Sequence, residues 1–105
     1  MRSAIMESAR ELVTFVRFHA REGQEKALEA ALREQIPRVR AEPGCLHMGV
    51  YASVRDPRLF FIHSRWVDEA AFQVHADLPN TEQLVARTER LIDHPFDATR
   101  TRALE

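Results

Sequence analysis

The chain has 105 residues and a formal charge of −1, with 45% apolar and 30% charged residues. This length suits one hydrophobic core and excludes two independent ones, and the composition excludes a long disordered segment. The near-zero charge creates no field that would attract nucleic acid or an anionic membrane, so neither partner is expected.

Cysteine content and hydropathy indicate the compartment. Cys45 is the only cysteine, and a lone cysteine cannot form an intramolecular disulfide. No apolar run of secretory type follows the first residues, and no apolar stretch approaches the ~20 residues that span a bilayer. We therefore expect a soluble protein of the reducing cytoplasm.

The first half of the chain predicts strand, helix and strand. Residues 1–11 have no clear period and are expected to form a flexible segment. β-Branched and aromatic residues predict a strand over Leu12–His19. Apolar residues at three- and four-residue steps predict a helix over Gln24–Ala41, which Pro37 should kink or end early. Alternating apolar residues predict a second strand over Leu46–Val54.

The second half continues with a strand and two helices. The dense apolar run Leu59–Val67 predicts a strand that forms an antiparallel hairpin with the preceding one. Asp68 is expected to cap a short helix over Glu69–Ala76. Asn80, with Gln83 three residues later, resembles a capping box that would open a further helix.

The last predicted element is a strand over Phe96–Leu104, with Arg100 and Arg102 on its polar side. The resulting order is strand, helix, strand, strand, helix pair, strand. This order matches the split βαβ arrangement. We therefore predict an α+β, ferredoxin-like domain over residues 12–105, with a four-stranded antiparallel sheet and helices on one face.

The sheet face opposite the helices is also expected to be apolar. In the third predicted strand Phe60 and Ile62 point one way while Leu59 and Phe61 point the other, and Phe15 joins the second group on the first strand. Soluble monomers rarely expose a large apolar patch. A second copy of the chain is the simplest cover, so we predict a homodimer through this face.

A series of motifs shares its order and spacing with one known family. The motifs are Glu42-Pro43-Gly44-Cys45-Leu46, Tyr51-Ala52-Ser53, Asp56-Pro57, Phe60, Trp66, Asp68, Ala71-Phe72 and His75. In these residues the chain resembles the antibiotic biosynthesis monooxygenase family, over roughly Leu12 to Leu104. The resemblance implies a dimeric α+β barrel with a pocket between sheet and helices in each subunit.

The resemblance also implies an activity. Some members of the family oxidise phenols, naphthols or hydroquinones with dioxygen and without metal, flavin or other cofactor, because the substrate supplies the electrons. A cofactor-independent monooxygenase acting on a small aromatic substrate is therefore the leading hypothesis. Trp66 and His75 match motif positions that line the family's pocket. Where many members carry a carboxylate two residues before the tryptophan, this chain has Ser64.

Five residues are the candidates for this site. His75 shares a helix face with Phe72 and could act as a base or bind an oxyanion, or it could be a half-buried histidine bonded to a carbonyl. Trp66 could stack on the substrate, donate its indole N–H or anchor the core. Tyr51 could bind a substrate oxygen or lie in a dimer interface. Ser64 and Phe72 are expected to contact substrate.

Other kinds of site have little support in the sequence. Cys45 follows a glycine at a strand start, where cysteine usually behaves as a small apolar side chain, so nucleophilic catalysis is not expected. The five histidines show no metal-ligand spacing and no metal site is expected. No glycine-rich phosphate loop is present.

Three alternative functions remain open. Some proteins similar to this family bind and degrade haem through a histidine on the corresponding helix, but they also carry an asparagine on the first strand, where this chain has none. The chain could instead be a non-catalytic dimer that binds a small ligand. Isomerisation of a small phosphorylated sugar-like signal is known among similar proteins, although the sequence shows no obvious phosphate cradle.

Overall fold

The computed structural model describes residues 10–105. In that part, the elements in chain order are β1 (Leu12–His19), α1 (Glu25–Arg33), α2 (Gln35–Arg40), β2 (Cys45–Ala52), β3 (Leu59–Trp66), α3 (Glu69–Ala76), α4 (Pro79–Glu89) and β4 (Asp97–Thr101). The strands pair antiparallel in the order β2-β3-β1-β4. The predicted α+β ferredoxin-like fold is confirmed. The predicted flexible segment lies outside the described residues, apart from residues 10 and 11.

The predicted long helix is divided into α1 and α2 at Glu34. Pro37 lacks an N–H, and its ring would clash with the carbonyl of Arg33, the residue at which α1 ends. The predicted early end is therefore confirmed. A new helix then begins at Gln35, whose side chain is buried.

The start of α3 agrees with the prediction and is held closely against the start of β2. The carboxylate of Asp68 accepts a hydrogen bond of 2.9 Å from the amide of Ala71, which confirms the predicted cap. Gly44 has a φ of +82°, and a Cβ placed there would lie 2.6 Å from the Cβ of Ala71. A glycine is required at this position by both its backbone conformation and the contact.

The start of α4 differs from the prediction. Leu78 takes the N-cap position with an extended backbone, and Pro79 occupies the first turn, where its missing N–H is harmless. The predicted capping box at Asn80 and Gln83 is therefore wrong. The side chain of Asn80 instead reaches across to Gln35 on α2.

The helices pack on one face of the sheet through two hydrophobic clusters. The first joins β1 and β3 to α1, and the second joins the other end of the sheet to α2. The buried members are Phe18, Ala20, Leu28, Leu32, Phe60 and Ile92 in the first, and Leu12, Val39, Met48 and Trp66 in the second. No helix within residues 10–105 is both long and apolar enough to cross a membrane.

The opposite face of the sheet carries exposed apolar side chains. The register places Phe15 opposite His63 and Tyr51 opposite Phe61 on this outer face. Phe15 is 49% exposed and Tyr51 48% exposed. The predicted alternation in β2 fails at Leu46, because a bulge between Cys45 and His47 leaves that leucine 47% exposed.

Candidate functional site

A cavity of about 340 Å³ lies between the inner face of the sheet and the helices. Its wall is mostly apolar, with contributions from every strand and from α2, α3 and α4. Examples of the apolar lining are Val16, Phe18, Val39, Ile62, Leu84 and Phe96. A volume of this size is within the usual range of small-molecule sites, which is ~300–1,000 Å³.

His75 borders the cavity from α3 and is paired with Glu42. Its Nδ1 lies 2.7 Å from Oε1 of Glu42, and both side chains are mostly buried. Because a carboxylate only accepts, Nδ1 carries the proton, and neutral His75 then has its lone pair on Nε2. Within residues 10–105, Nε2 has no hydrogen-bond partner. Every buried side-chain nitrogen or oxygen in this part of the chain has one, so Nε2 is accessible to solvent. In this tautomer Nε2 is a hydrogen-bond acceptor on a residue that borders the cavity.

Three aromatic rings meet beside this pair. The ring centroids of His75 and Trp66 are 4.8 Å apart, and those of His75 and Phe72 are 5.4 Å apart. Phe72 borders the cavity. Trp66 is 0% exposed and lies behind the lining, so its ring supports His75 from the core side.

Ser64 connects the tryptophan to the cavity wall. Its Oγ accepts a hydrogen bond of 2.9 Å from Nε1 of Trp66 and shares a second hydrogen bond with the hydroxyl of Thr14. The indole N–H is thus satisfied inside the protein and is not directed at a ligand. Ser64 and Thr14 are both buried and place the few polar atoms of the sheet against the cavity.

Arg100 also borders the cavity, although the sequence placed it on the polar side of the last strand. It pairs with Thr14 across the sheet, and this register puts it on the inner face. Its guanidinium lies 4.9 Å from the ring centroid of Phe72 and donates to Glu69 and Gln73 on α3. Arg100 therefore joins β4 to α3 at the edge of the cavity.

The other predicted site residue, Tyr51, lies apart from this cluster. Its ring covers Gly49 on the outer face, where an added Cβ would lie 2.8 Å from the tyrosine hydroxyl. The hydroxyl is 3.4 Å from Nε2 of His47. The structure thus brings together His75, Phe72 and Ser64 at the cavity, sets Trp66 behind them, and separates Tyr51 from them.

Two residues of the site were missed from the sequence. In the sequence Glu42 is one residue of the Glu-Pro-Gly-Cys-Leu motif that carries the family resemblance, and an acidic residue that opens this motif could have signalled a partner for His75. Gln35 lies within the helix predicted over Gln24–Ala41, and its side chain borders the cavity while only 4% exposed. A glutamine on the apolar side of a helix break was the available signal.

A separate cluster of metal-type ligands lies at one end of the sheet. In residues 10–105, ligand atoms of His19, Asp93 and His94 lie within 4.8 Å of one another. The two nitrogens of His19 contact the carboxylates of Asp93 and Asp56, at 2.7 and 3.0 Å, and Arg58 also donates to Asp93. The hydrogen bond to Asp93 is the main reason why the pKa of His19 is raised above 6.5. This is a hydrogen-bonded ion network, and a bound cation would have to displace it.

The lining of the cavity offers little to bind the two carboxylates of a haem. Arg100 is the one cationic side chain among the described residues of its lining, and it is already bonded to α3. A cavity of about 340 Å³ is of a size that accommodates a one- or two-ring compound.

Cys45 does not contribute a reactive thiol to the site. Partial burial is the main reason why the pKa of its thiol is raised above 9.0. The thiolate is the nucleophilic form, and a raised pKa reduces its population near neutral pH. Cys45 instead packs against the second hydrophobic cluster.

Comparisons with known proteins support one family. The sequence model described as antibiotic biosynthesis monooxygenase matches residues 12–87. The protein named "Putative monooxygenase YcnE" of Bacillus subtilis (strain 168) is 30% identical over 66 residues, which cover 63% of this chain and 70% of that protein. Two crystal structures are similar throughout. PA3566 from Pseudomonas aeruginosa has a TM-score of 0.84 at 26% identity, and the match covers 93% of this chain and 98% of the PA3566 chain. SO0527 from Shewanella oneidensis has a TM-score of 0.84 at 28% identity, and the match covers 89% of this chain and 90% of the SO0527 chain.

Proposed function

Because this chain belongs to the antibiotic biosynthesis monooxygenase family, we propose that it is a monooxygenase that oxidises a small phenolic, naphthol or quinol compound with dioxygen. The observation that carries the proposal is the His75–Glu42 pair at the wall of a mostly apolar cavity. We expect the protein to act in the reducing cytoplasm and to need no cofactor, because the substrate supplies the electrons.

The first step is removal of the substrate's O–H proton by Nε2 of His75. A phenol has a pKa of ~10, so near neutral pH it needs a base to reach the electron-rich phenolate. Glu42 holds the ring through Nδ1 and stabilises the imidazolium that forms. Histidine suits this task because its unperturbed pKa lies close to neutral pH.

The second step transfers electrons from the phenolate to dioxygen. One electron moves first, and the two radicals then combine so that a C–O bond forms at a ring carbon. Loss of the proton from that carbon, with cleavage of the O–O bond, leaves a carbonyl group and hydroxide. The hydroxide takes the proton from His75 to give water. A phenol and dioxygen thus yield a quinone and water, and the substrate supplies all four electrons.

The wall of the cavity supports this chemistry by packing against the substrate ring and by leaving few polar groups near His75. Phe72 offers an aromatic edge beside His75, against which a flat substrate ring can pack. The hydroxyls of Ser64 and Thr14 are occupied with each other and with Trp66, so they do not compete with His75 for the reacting proton. Charges that develop in such surroundings interact more strongly than in water.

The experiment is dioxygen consumption by metal-free protein with a panel of hydroquinones and naphthols. We expect uptake above the buffer rate for some of these compounds, and a decrease of at least ~100-fold for His75→Ala, the lower end of the ~10²–10⁴-fold range for loss of a general base. His94→Ala is the matched control, because that histidine is half-exposed and does not border the cavity. Uptake at the buffer rate for every compound would contradict the proposal and favour a non-catalytic binding protein.

We propose further that the chain forms a homodimer through the outer face of the sheet. The half-exposed Phe15 and Tyr51 lie on this face, with Phe61 and His63 between them in the register. The helices already cover the inner face. A second copy is the cover that needs no additional partner, since a two-fold interface uses the same patch twice.

A further inference from the structure

Gln35 is a buried amide at the wall of the cavity. It follows the break between α1 and α2, is 4% exposed and borders the cavity. The position is unusual because the surrounding lining is mostly apolar. A buried amide in such surroundings normally has its donors and acceptor satisfied.

The orientation of this amide is fixed by a chain of hydrogen bonds that begins at Arg38. A guanidinium can only donate, so the atom of Asn80 that lies 3.0 Å from Nη1 of Arg38 is its carbonyl oxygen. The amide nitrogen of Asn80 is then the atom that lies 2.8 Å from Gln35, and it donates to Oε1 of Gln35. The Nε2 group of Gln35 must therefore point away from Asn80.

The two protons on this nitrogen have no partner in the part of the chain that the structure describes. Every buried side-chain nitrogen or oxygen in that part of the chain has a hydrogen-bond partner. Because Nε2 of Gln35 has none, it must be accessible to solvent. The residue is almost completely buried and borders the cavity, so that open space is the cavity. The cavity thus has a fixed donor at Gln35 in addition to the acceptor at Nε2 of His75.

We propose that Gln35 determines specificity by donating a hydrogen bond to a second, accepting oxygen of the substrate. The ligand class is an aromatic compound that carries an O–H group, for His75, and a separate carbonyl oxygen, for Gln35. This inference rests on the proposed function, because it takes the cavity as the place where an oxygenated aromatic compound binds. A compound without the second oxygen leaves the amide donors unsatisfied in an apolar wall, which weakens its binding.

The test compares two ligands on the same skeleton by calorimetric titration under nitrogen, where no turnover occurs. The ligand 5-hydroxy-1-tetralone has the phenol and the ketone, and 5,6,7,8-tetrahydro-1-naphthol has the phenol alone. We expect wild-type protein to bind the ketone about tenfold more tightly, as one good hydrogen bond allows. Gln35→Met should remove this preference. Gln83→Met makes the same change on the exposed side of α4 and should keep it.

A second variant tests the orientation without altering the cavity wall. Asn80→Asp keeps the acceptor for Arg38 but replaces the donor facing Gln35 with a second acceptor. The amide of Gln35 should then turn, so that Nε2 donates to the carboxylate and Oε1 faces the cavity. We expect this variant to lose the preference for the ketone while its circular dichroism spectrum stays that of the wild type.

The outcomes separate this inference from the proposed function. If the ketone preference persists in folded Gln35→Met or Asn80→Asp protein, or if wild-type protein binds neither ligand, the inference is overturned. If the preference depends on Gln35 while no phenol causes dioxygen uptake, the inference stands and the monooxygenase proposal fails. If phenols are oxidised but the ligand ratio is the same in all variants, the monooxygenase proposal stands and the inference fails.

Discussion

Single side chains determine what the cavity can do chemically. His75 has the direction required of a base because Glu42 occupies its Nδ1. Glu42→Gln tests this dependence, since glutamine retains the size of the side chain and removes the charge. We expect kcat for dioxygen consumption to fall about tenfold, less than for His75→Ala, because the imidazolium loses its stabilising charge. An unchanged kcat would show that the carboxylate is not needed.

The ion network at His19 predicts a pH dependence of stability. The hydrogen bond to Asp93 is the main reason why the pKa of His19 is raised above 6.5 in the folded chain, and the hydrogen bond to Asp56 adds to the effect. The stabilisation is therefore fully present below pH ~6.5 and is lost as the pH rises through the folded-state pKa. His19→Gln should lower Tm more at about pH 6 than at about pH 9. A decrease that is equal at both pH values would contradict the assignment.

His47 is a useful comparison, because its pKa is shifted in the opposite direction to that of His19. Partial burial is the main reason why its pKa is lowered below 6.5, with neighbouring positive charges adding to the effect. In the folded chain its neutral form is favoured, so stability decreases as the pH falls below ~6.5 and the unfolded chain takes up the proton. His47→Gln should therefore gain stability relative to wild type at the lower pH, where His19→Gln loses it.

At the scale of elements, the close contact between the start of β2 and α3 positions the proposed base. Gly44 allows this contact, because both its φ of +82° and the 2.6 Å separation from the Cβ of Ala71 exclude a side chain. We expect Gly44→Ala to lower the free energy of unfolding by about 2–4 kcal/mol, combining left-handed strain with overpacking. Chemical denaturation measures this change.

Gly23→Ala is the control that measures the strain of the left-handed backbone conformation alone. Gly23 has a similar φ of +86°, but a Cβ there would meet nothing within 4 Å. We expect a decrease of only about 1–2 kcal/mol in the free energy of unfolding. If the two variants are equally destabilised, packing against α3 is not what requires Gly44.

At the scale of the whole molecule, the outer face of the sheet predicts assembly. Phe15→Glu places a charge in the centre of the proposed interface, and we expect the dissociation constant of the dimer to rise at least ~100-fold. Val74→Glu, on the exposed side of α3, is the control and should leave the dimer intact. Sedimentation velocity measures both. A stable wild-type monomer at micromolar concentration would contradict the dimer proposal.

Local patterns in the sequence determined most of the architecture. The strand over Leu12–His19, the early end of α1 before Pro37 and the cap at Asp68 are each consequences of residues that are neighbours in the chain. The motif order also pointed to the family and to His75. The predicted capping box at Asn80 is wrong because packing competes with the local signal. The side chain of Asn80 donates to Gln35 on α2 and does not cap α4.

Only the tertiary structure decided which polar side chains meet. His75 and Glu42 are 33 residues apart, Gln35 and Asn80 45, and His19 and Asp93 74. Periodicity in one sequence reports which side chains face the interior, because burial depends on the position of each residue along its own helix or strand. It contains no information on which distant partner satisfies a buried donor or acceptor, since that depends on how the elements pack. The sequence therefore pointed to His75, and the fold determined its carboxylate partner, Glu42, and the second polar group of the cavity, Gln35.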